Sequence, residues 1–359
     1  MVAEAYRGRS VFLTGHSGFK GSWLAYWLVR AGAHVTGYSL EAPTDPSLFE
    51  ALGLQDLLRH VVADVREAER LRVEMVAAAP DVVFHLAAQP IVRESYARPG
   101  ETFATNVMGT LNVLEAVRAC ETVGGVVVVT TDKCYRNDDR GRPFVEDDPL
   151  GGRDPYSASK GCAELVAQAY AASFLGERGV AVATARAGNV IGGGDWAVDR
   201  IVPDCVRALG AHSPVEVRNP DAVRPWQHVL EPLAGYLLLG KSSLEGAGRA
   251  GAWNFGPAPG DALSVRWVTE RFLEEWGEGS WRHARPATAQ PHEAPVLSLD
   301  SSKAAQELGW TPVWDAREAV RRTASWYHRF LRDPRVARDL VEADLDAYAE
   351  AAGAGEGAR

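Results

Sequence analysis

The chain has 359 residues, 46% of them hydrophobic and 24% charged, and carries a net charge of −9 at neutral pH. That is long enough for one large or two ordinary domains with a full core, and the composition is that of a soluble globular protein. The acidic balance, with no Lys/Arg cluster to offset it, argues against a nucleic-acid partner, and no run approaches the ~20 apolar residues of a membrane span.

Met1 to Ser10 lacks the apolar core of a signal segment. Ser10–Thr14 is a short apolar run, read as a strand, that ends in a glycine-rich turn. A helix follows, with Trp23, Leu24, Trp27, Leu28 and Ala31 on one stripe and Gly32 placed to end it. His34–Tyr38, His60–Ala63, Val82–Leu86, Val126–Thr131 and Val180–Ala185 read as further strands. Helical patterns at Arg66–Ala78, Glu101–Cys120 and Asp154–Ser173 separate them. This alternation predicts an α/β fold, a Rossmann-type doubly wound parallel sheet. After Ala187 the rhythm changes to glycine- and proline-punctuated segments, with helical patterns at Glu231–Lys241, Val265–Trp276 and Arg317–Leu331. We therefore expect a nucleotide-binding domain over residues 1–190, receiving about 226–256, and a smaller C-terminal substrate-binding region over 191–225 and 257–345. The Ala/Gly/Glu-rich end, 350–359, is expected to fray.

The turn Thr14-Gly15-His16-Ser17-Gly18-Phe19-Lys20-Gly21 spaces its glycines three apart between a strand and a helix. Gly15 suits the tight turn, Gly18 the approach of a pyrophosphate, and Gly21 close packing of helix on strand, with the helix N-terminus facing the negative charge. The expected cofactor is NAD. Strand two ends at Tyr38-Ser39-Leu40-Glu41 without an acid at its tip and without an arginine to take a 2′-phosphate. Asp64 and Val65 follow the next strand and can meet the adenine, and Leu86, Ala87, Ala88 and Gln89 end another strand with small residues. Asn106 and Thr130 complete the cofactor candidates, with Thr14, Phe19 and Lys20 from the turn itself.

Two acid/base couples stand out. Tyr156 and Lys160 lie one turn apart on a helix that starts at the cap Asp154 and Pro155. A nearby ammonium, helped by an oxidised nicotinamide, favours the phenolate and moves a tyrosine from about 10 toward working pH. Y-x-x-x-K alone is frequent by chance; the glycine turn upstream and Thr131 at a strand end give it weight. Asp132 and Lys133, adjacent after that strand, offer a second acid and base. The four cysteines, Cys120, Cys134, Cys162 and Cys205, form no C-x-x-C pair and no metal-like spacing with histidine. They read as free thiols in a cytoplasmic protein, and no metal site is expected.

These residues resemble the extended short-chain dehydrogenase/reductase superfamily and, within it, the sugar-nucleotide-modifying enzymes. The strings Thr14 to Leu24, Thr131 to Tyr135, Asp154 to Glu164, Arg186 to Trp196 and Arg224 to Val229 resemble the CDP-glucose 4,6-dehydratases, as does His292-Glu293-Ala294. The resemblance covers nearly the whole chain. It implies that Tyr156 takes the proton of the sugar 4-hydroxyl as C4 gives hydride to NAD, with Thr131 holding the 4-oxygen. Lys133 then removes the C5 proton, and a protonated Asp132 donates to the departing 6-hydroxyl. Asp-Lys stands where related dTDP-glucose dehydratases carry Asp-Glu, which points to CDP-glucose as substrate. Arg200, Arg218 and Arg224 are the expected diphosphate contacts, since guanidinium forks suit phosphate oxygens. By resemblance Asn189 and His292 join them on the substrate. The helices Glu101–Cys120 and Asp154–Ser173 resemble the pair through which the superfamily forms homodimers. A 4-epimerase or a dehydratase of another nucleotide sugar is the nearest alternative, and a non-catalytic NAD sensor on this fold the more distant one.

Overall fold

The computed structural model describes residues 2–137, 141–258, 260–284 and 297–356. Seven strands form one parallel sheet: β1 (Ser10–Thr14), β2 (His34–Ser39), β3 (Arg59–Val62), β4 (Val82–His85), β5 (Gly125–Val129), β6 (Ala181–Ala187) and β7 (Gly251–Phe255). Their order is β7-β6-β5-β4-β1-β2-β3. The chain winds outward from β1 in one direction and from β4 in the other. The crevice at that switch point, outside the carboxyl ends of the strands, is where such sheets bind ligands. The doubly wound fold expected from the alternation is therefore present.

The helices that matter here are α1 (Phe19–Arg30), α2 (Ala68–Ala78), α3 (Gly109–Ala119), α4 (Pro155–Tyr170), α5 (Ile201–Gly210), α6 (Leu230–Leu244), α7 (Val265–Trp276), α8 (Ala316–Arg332) and α9 (Ala337–Glu356). Successive strand residues point to opposite faces. Val11, Leu13, Phe84 and Val127 pack with Trp23, Leu24 and Leu28 of α1 and Leu233 and Leu237 of α6. Phe12, Val83, Val126 and Val128 pack with Leu71 and Met75 of α2 and Val113, Leu114 and Val117 of α3. Burying each such Val, Leu or Phe is worth roughly 1.5–3 kcal/mol. These strands, covered on both faces, read as continuous apolar runs for that reason.

Several boundaries differ from the periodicity for local reasons. The helix expected from Arg66 begins at Ala68, because the Asp64 carboxylate accepts the Arg66 amide at 2.8 Å and holds a turn there. The helix expected over Glu101–Cys120 is Pro99–Phe103, a π-turn at Ala104–Met108, and α3. A second π-turn, Ala171–Leu175, continues α4. The strand expected to reach Thr131 stops at Val129, and Thr131 caps a short 3₁₀ turn over Asp132–Cys134.

After β6 three two-stranded pairings, Val190–Ile191 with Gln227–His228, Val223–Pro225 with Ala262–Ser264, and Val215–Val217 with Trp281–His283, build a layer over the carboxyl edge. The C-terminal helices lock onto it. Tyr327 of α8 donates to the Asp195 carbonyl, and Trp23 of α1 donates to Gly193 O at 2.9 Å. Glu231, fully buried, accepts from the Val313 and Trp314 amides and the Tyr348 hydroxyl at 3.0, 2.8 and 2.9 Å. The last helix runs on to Glu356, beyond the point where a fraying tail was expected. Tyr348 and Leu345 bury against the core and anchor it. Among the described residues no helix is long and apolar enough to cross a membrane.

Candidate active site

A cleft of about 1500 Å³ runs along the carboxyl edge of the sheet, from the glycine turn to the covering layer. Gly15 sits at φ +76, and a Cβ there would lie 2.6 Å from the Ala87 amide nitrogen. A Cβ on Gly21 would lie 2.0 Å from Gly15 O, so α1 packs on the turn only without a side chain. Gly18 is different. A Cβ there would meet nothing nearer than Gly15 O at 3.5 Å, which leaves open space over the first turn of α1. Gly15, Gly18, Phe19, Lys20, Gly21, Asp64, Val65, Leu86, Ala87, Ala88 and Gln89 all line the cleft. The Asp64 carboxylate is already held by Arg66, whose Nη2 lies 2.5 Å from Oδ2, and that bond keeps it below the usual carboxylate range.

Two cofactor candidates lie behind the wall instead of on it. Thr14 is fully buried, and its hydroxyl meets His85 Nδ1 at 2.7 Å and accepts the Ala87 amide at 3.2 Å. Asn106 is 1% exposed because the π-turn rotates it inward. Its Nδ2 donates to Gln89 O and Ser159 Oγ, and its Oδ1 accepts the Gln89 amide at 2.8 Å. Both therefore support the residues that line the cleft. Thr130 lines it through its backbone, its hydroxyl being turned to the buried Glu164.

The two acid/base couples meet where β5 and α4 converge. Asp154 caps α4 by accepting the Ser157 amide at 2.9 Å, with Pro155 at the first turn. Tyr156 and Lys160 are 8% and 6% exposed. Lys160 Nζ donates to the Val129 carbonyl at 3.0 Å, which ties α4 to the end of β5. Burial lowers Lys160 to about 8, opposed by the nearby Glu164 carboxylate. With the protein's own groups burial dominates and pushes Tyr156 up to about 12, against a hydrogen bond from Thr131 and the charge of Arg200.

Thr131 donates to Asp132 Oδ1 at 3.0 Å, and Lys133 Nζ lies 3.1 Å from the same oxygen. Lys133 lines the cleft with its side chain 26% exposed, whereas Asp132 is 1% exposed and sits behind it. Asp132 Oδ2 is buried without a hydrogen-bond partner, 3.2 Å from where a Cβ on Gly188 would stand. Lys20 faces the same region. Burial, then the charges of Arg200 and Lys160, lower it to about 7, with Asp132 opposing.

On the covering layer Asn189, Arg200, Arg218 and Arg224 all line the cleft. Arg200 pairs with Asp195 at 2.7 Å, and its charge reaches Tyr156, nearer the reacting end than its place in the sequence suggested. Arg218 pairs with Asp199 at 2.5 Å, and Arg93 approaches the same carboxylate at 3.6 Å from the far side of the cleft. Arg224 is buried and donates to Val223 O at 2.8 Å. His292, with Glu293, lies outside the described residues. Sequence reasoning missed Arg93 and Asp199, which carry no motif. It also missed the Glu164–Arg186 pair, although the i, i+4 spacing of Lys160 and Glu164 signalled a shared helix face.

The model of the NAD dependent epimerase/dehydratase family matches residues 11–254. A CDP-glucose 4,6-dehydratase of Salmonella typhimurium is 48% identical over 91% of this chain and 92% of its own. A dTDP-glucose 4,6-dehydratase of Streptomyces antibioticus is 31% identical over 89% of this chain and 92% of its own. Among solved structures, the dTDP-glucose 4,6-dehydratase of Streptomyces venezuelae with NAD and TYD bound superposes with a TM-score of 0.75 and 27% identity. It covers 89% of this chain and 97% of that one. The glycine turn, the Tyr156/Lys160 helix and a match that spans both layers lead to one conclusion: the chain belongs to the NAD dependent epimerase/dehydratase family.

Proposed function

We propose that this protein is an NAD-dependent lyase that dehydrates CDP-D-glucose to CDP-4-dehydro-6-deoxy-D-glucose, a step of deoxysugar biosynthesis. The observation that carries the reading is the Asp132–Lys133 pair held at the end of β5 beside Tyr156. A 4-epimerase needs Tyr156 and Lys160 but has no use for a second acid and base. The Salmonella typhimurium relative supports the choice of CDP-glucose.

The cleft fits a dinucleotide. The open space over Gly18, the N-terminus of α1 and the small side chains of Ala87 and Ala88 suit a pyrophosphate and ribose. Gly15, Gly18, Phe19, Lys20, Gly21, Asp64, Val65, Leu86 to Gln89 and the Thr130 backbone would hold NAD, backed by Thr14 and Asn106. When bound, NAD would supply the hydride acceptor for C4 of the sugar and the hydride donor for C6. Tyr156 removes the 4-hydroxyl proton, and Thr131 steadies the same oxygen. Lys160 holds its positive charge beneath the site and favours formation of the phenolate. The 4-ketone acidifies C5–H, and Lys133 takes that proton. The buried Asp132 carboxyl gives its proton to the 6-oxygen, which leaves as water. Lys133 then returns the proton to C5; Tyr156 is left with the 4-hydroxyl proton and Asp132 without its own, so one proton passes from Tyr156 back to Asp132 before the next turnover.

Arg200, Arg218, Arg224 and Asn189 would bind the nucleotide diphosphate, with the residues 191–225 and 257–345 forming most of the substrate layer. The four free cysteines suit a reducing, cytoplasmic compartment. We read the protein as a homodimer. Phe103, Met108, Leu165 and Phe174, on and around α3 and α4, leave large apolar side chains exposed. Light scattering at micromolar concentration should give twice the 38.8 kDa chain mass; a monomer would contradict it. The substrate assignment is tested by incubating the enzyme and NAD with CDP-, dTDP-, UDP- and ADP-glucose and GDP-mannose. Loss of one water by mass spectrometry is expected with CDP-glucose at a rate at least roughly tenfold above the others, since a base-specific hydrogen bond discriminates by that much or more. Equal rates would remove the claim of cytidine preference.

A further inference from the structure

One turn beyond Lys160 on α4, Glu164 is fully buried, and both its carboxylate oxygens are hydrogen-bonded. Oε1 accepts from the Thr130 hydroxyl and from Arg186 Nε at 2.9 Å. Oε2 accepts from Arg186 Nη2 and from the Thr184 hydroxyl, both at 2.7 Å. Arg186, on β6 and 1% exposed, donates through its remaining amine to Tyr135 Oη at 2.7 Å and Glu146 O at 2.9 Å. The Tyr135 hydroxyl in turn donates to Asn254 Oδ1 at 2.7 Å, on β7. This network thus runs through α4, β5, β6 and β7, and it touches the end of β5 at one residue.

That residue is Thr130. On one side of it is Val129, whose carbonyl receives Lys160 Nζ; on the other is Thr131, which donates to Asp132 and lies near the Tyr156 phenol. We propose that the buried Glu164–Arg186 pair is a positioning device for the reaction, fixing the end of β5 through Thr130 and holding Lys160 as an ammonium ion from one helical turn below. Arg186 grips both carboxylate oxygens, Nε to Oε1 at 2.9 Å and Nη2 to Oε2 at 2.7 Å, and so fixes the carboxylate in place. The carboxylate then acts on Lys160 as a fixed negative charge in a region water does not screen. The groups facing Lys160 from the packed elements are Glu164 and Cys134, with Lys20 of α1 and His85 of β4, and Tyr156 lies one turn away on α4 itself. Of these Glu164 has the larger effect in keeping the ammonium charged.

The inference rests on the proposed reaction, so it is tested with whichever nucleotide sugar of the panel the wild type converts. The readout is the rate of NADH formation at 340 nm in a single turnover, followed against pH. Glu164→Gln should move the high-pH limb downward by about one pH unit, because Lys160 loses its proton earlier without the carboxylate. Thr184→Val removes a hydrogen bond to Glu164 but no charge; it should lower Tm and leave the limb in place. If Glu164→Gln does not accumulate as folded protein, the Glu164→Gln/Arg186→Gln double variant removes both charges and should show the same limb shift. A limb that stays put while the rate falls uniformly overturns the proposal, as does an equal shift in Thr184→Val, or failure of both Glu164 variants to fold. A wild type inactive on every sugar sinks the proposed function as well; an active wild type with unmoved variants sinks this inference alone.

Discussion

Lys133→Met should stop the enzyme halfway, with the cofactor reduced and the sugar still carrying its 6-hydroxyl. Met keeps the length and apolar stem of the side chain, and Lys133 is 26% exposed, so the fold has little reason to change. What disappears is the amine at the end of β5 that bonds Asp132. Tyr156, Lys160 and Thr131 remain, and oxidation at C4 needs only these. Absorbance at 340 nm should therefore rise to about one NADH per active site and persist, where the wild type shows a transient. Overall turnover should fall roughly 10²–10⁴-fold, the usual worth of a positioned base. In deuterated solvent the trapped intermediate should exchange its C5 hydrogen far more slowly than the wild type. Exchange at the normal rate would remove Lys133 from that role and leave it as a partner of Asp132 alone.

Tyr156→Phe should fail one step earlier, with no NADH formed even in a single turnover. The phenol is 8% exposed, lies near Thr131, and is raised to about 12 by burial when only the protein's groups act on it. A buried phenol so reluctant to ionise needs the nearby cations to become a base at all, and Phe offers no oxygen for them to act on. The loss should again be roughly 10²–10⁴-fold, now in the first hydride transfer. Because the ring and its packing are retained, nucleotide-sugar binding by calorimetry should stay within a few-fold. NADH formation at a tenth of the wild-type rate or more would falsify the assignment of Tyr156 as the base. The two variants together separate the redox couple from the eliminating couple, since only Lys133→Met accumulates reduced cofactor.

Much of this architecture was legible in the chain. The apolar strands between helical stretches gave the parallel sheet. Gly15, Gly18 and Gly21 gave the turn, because their spacing between a strand and a helix matches the places where backbone must approach backbone or phosphate. Tyr156 and Lys160 were legible because four residues on a helix is one turn, and Asp132 and Lys133 because adjacency fixes their proximity. Boundaries were less so. The π-turn at Ala104–Met108 has no composition of its own, yet it turns Asn106 behind the cleft wall. Nor did any motif announce that the tail would dock as a helix through Tyr348 onto the buried Glu231.

The sequence by itself determined the fold class, the glycine turn and the residues of both candidate acid/base couples, since each depends on residues close in the chain and on periodicities of 2 and 3.6. Only the tertiary structure decided what those groups feel. Tyr156 was expected to be drawn down by an ammonium and a bound nicotinamide together; with the protein's groups alone, burial pushes it up. Arg200 was expected at the diphosphate, and its charge also reaches Tyr156. Glu164 and Arg186, 22 residues apart, become one buried pair behind Lys160. Desolvation and charge–charge energies depend on distances through space between segments remote in sequence, and those distances exist only once β5, β6, α4 and the late helices have packed.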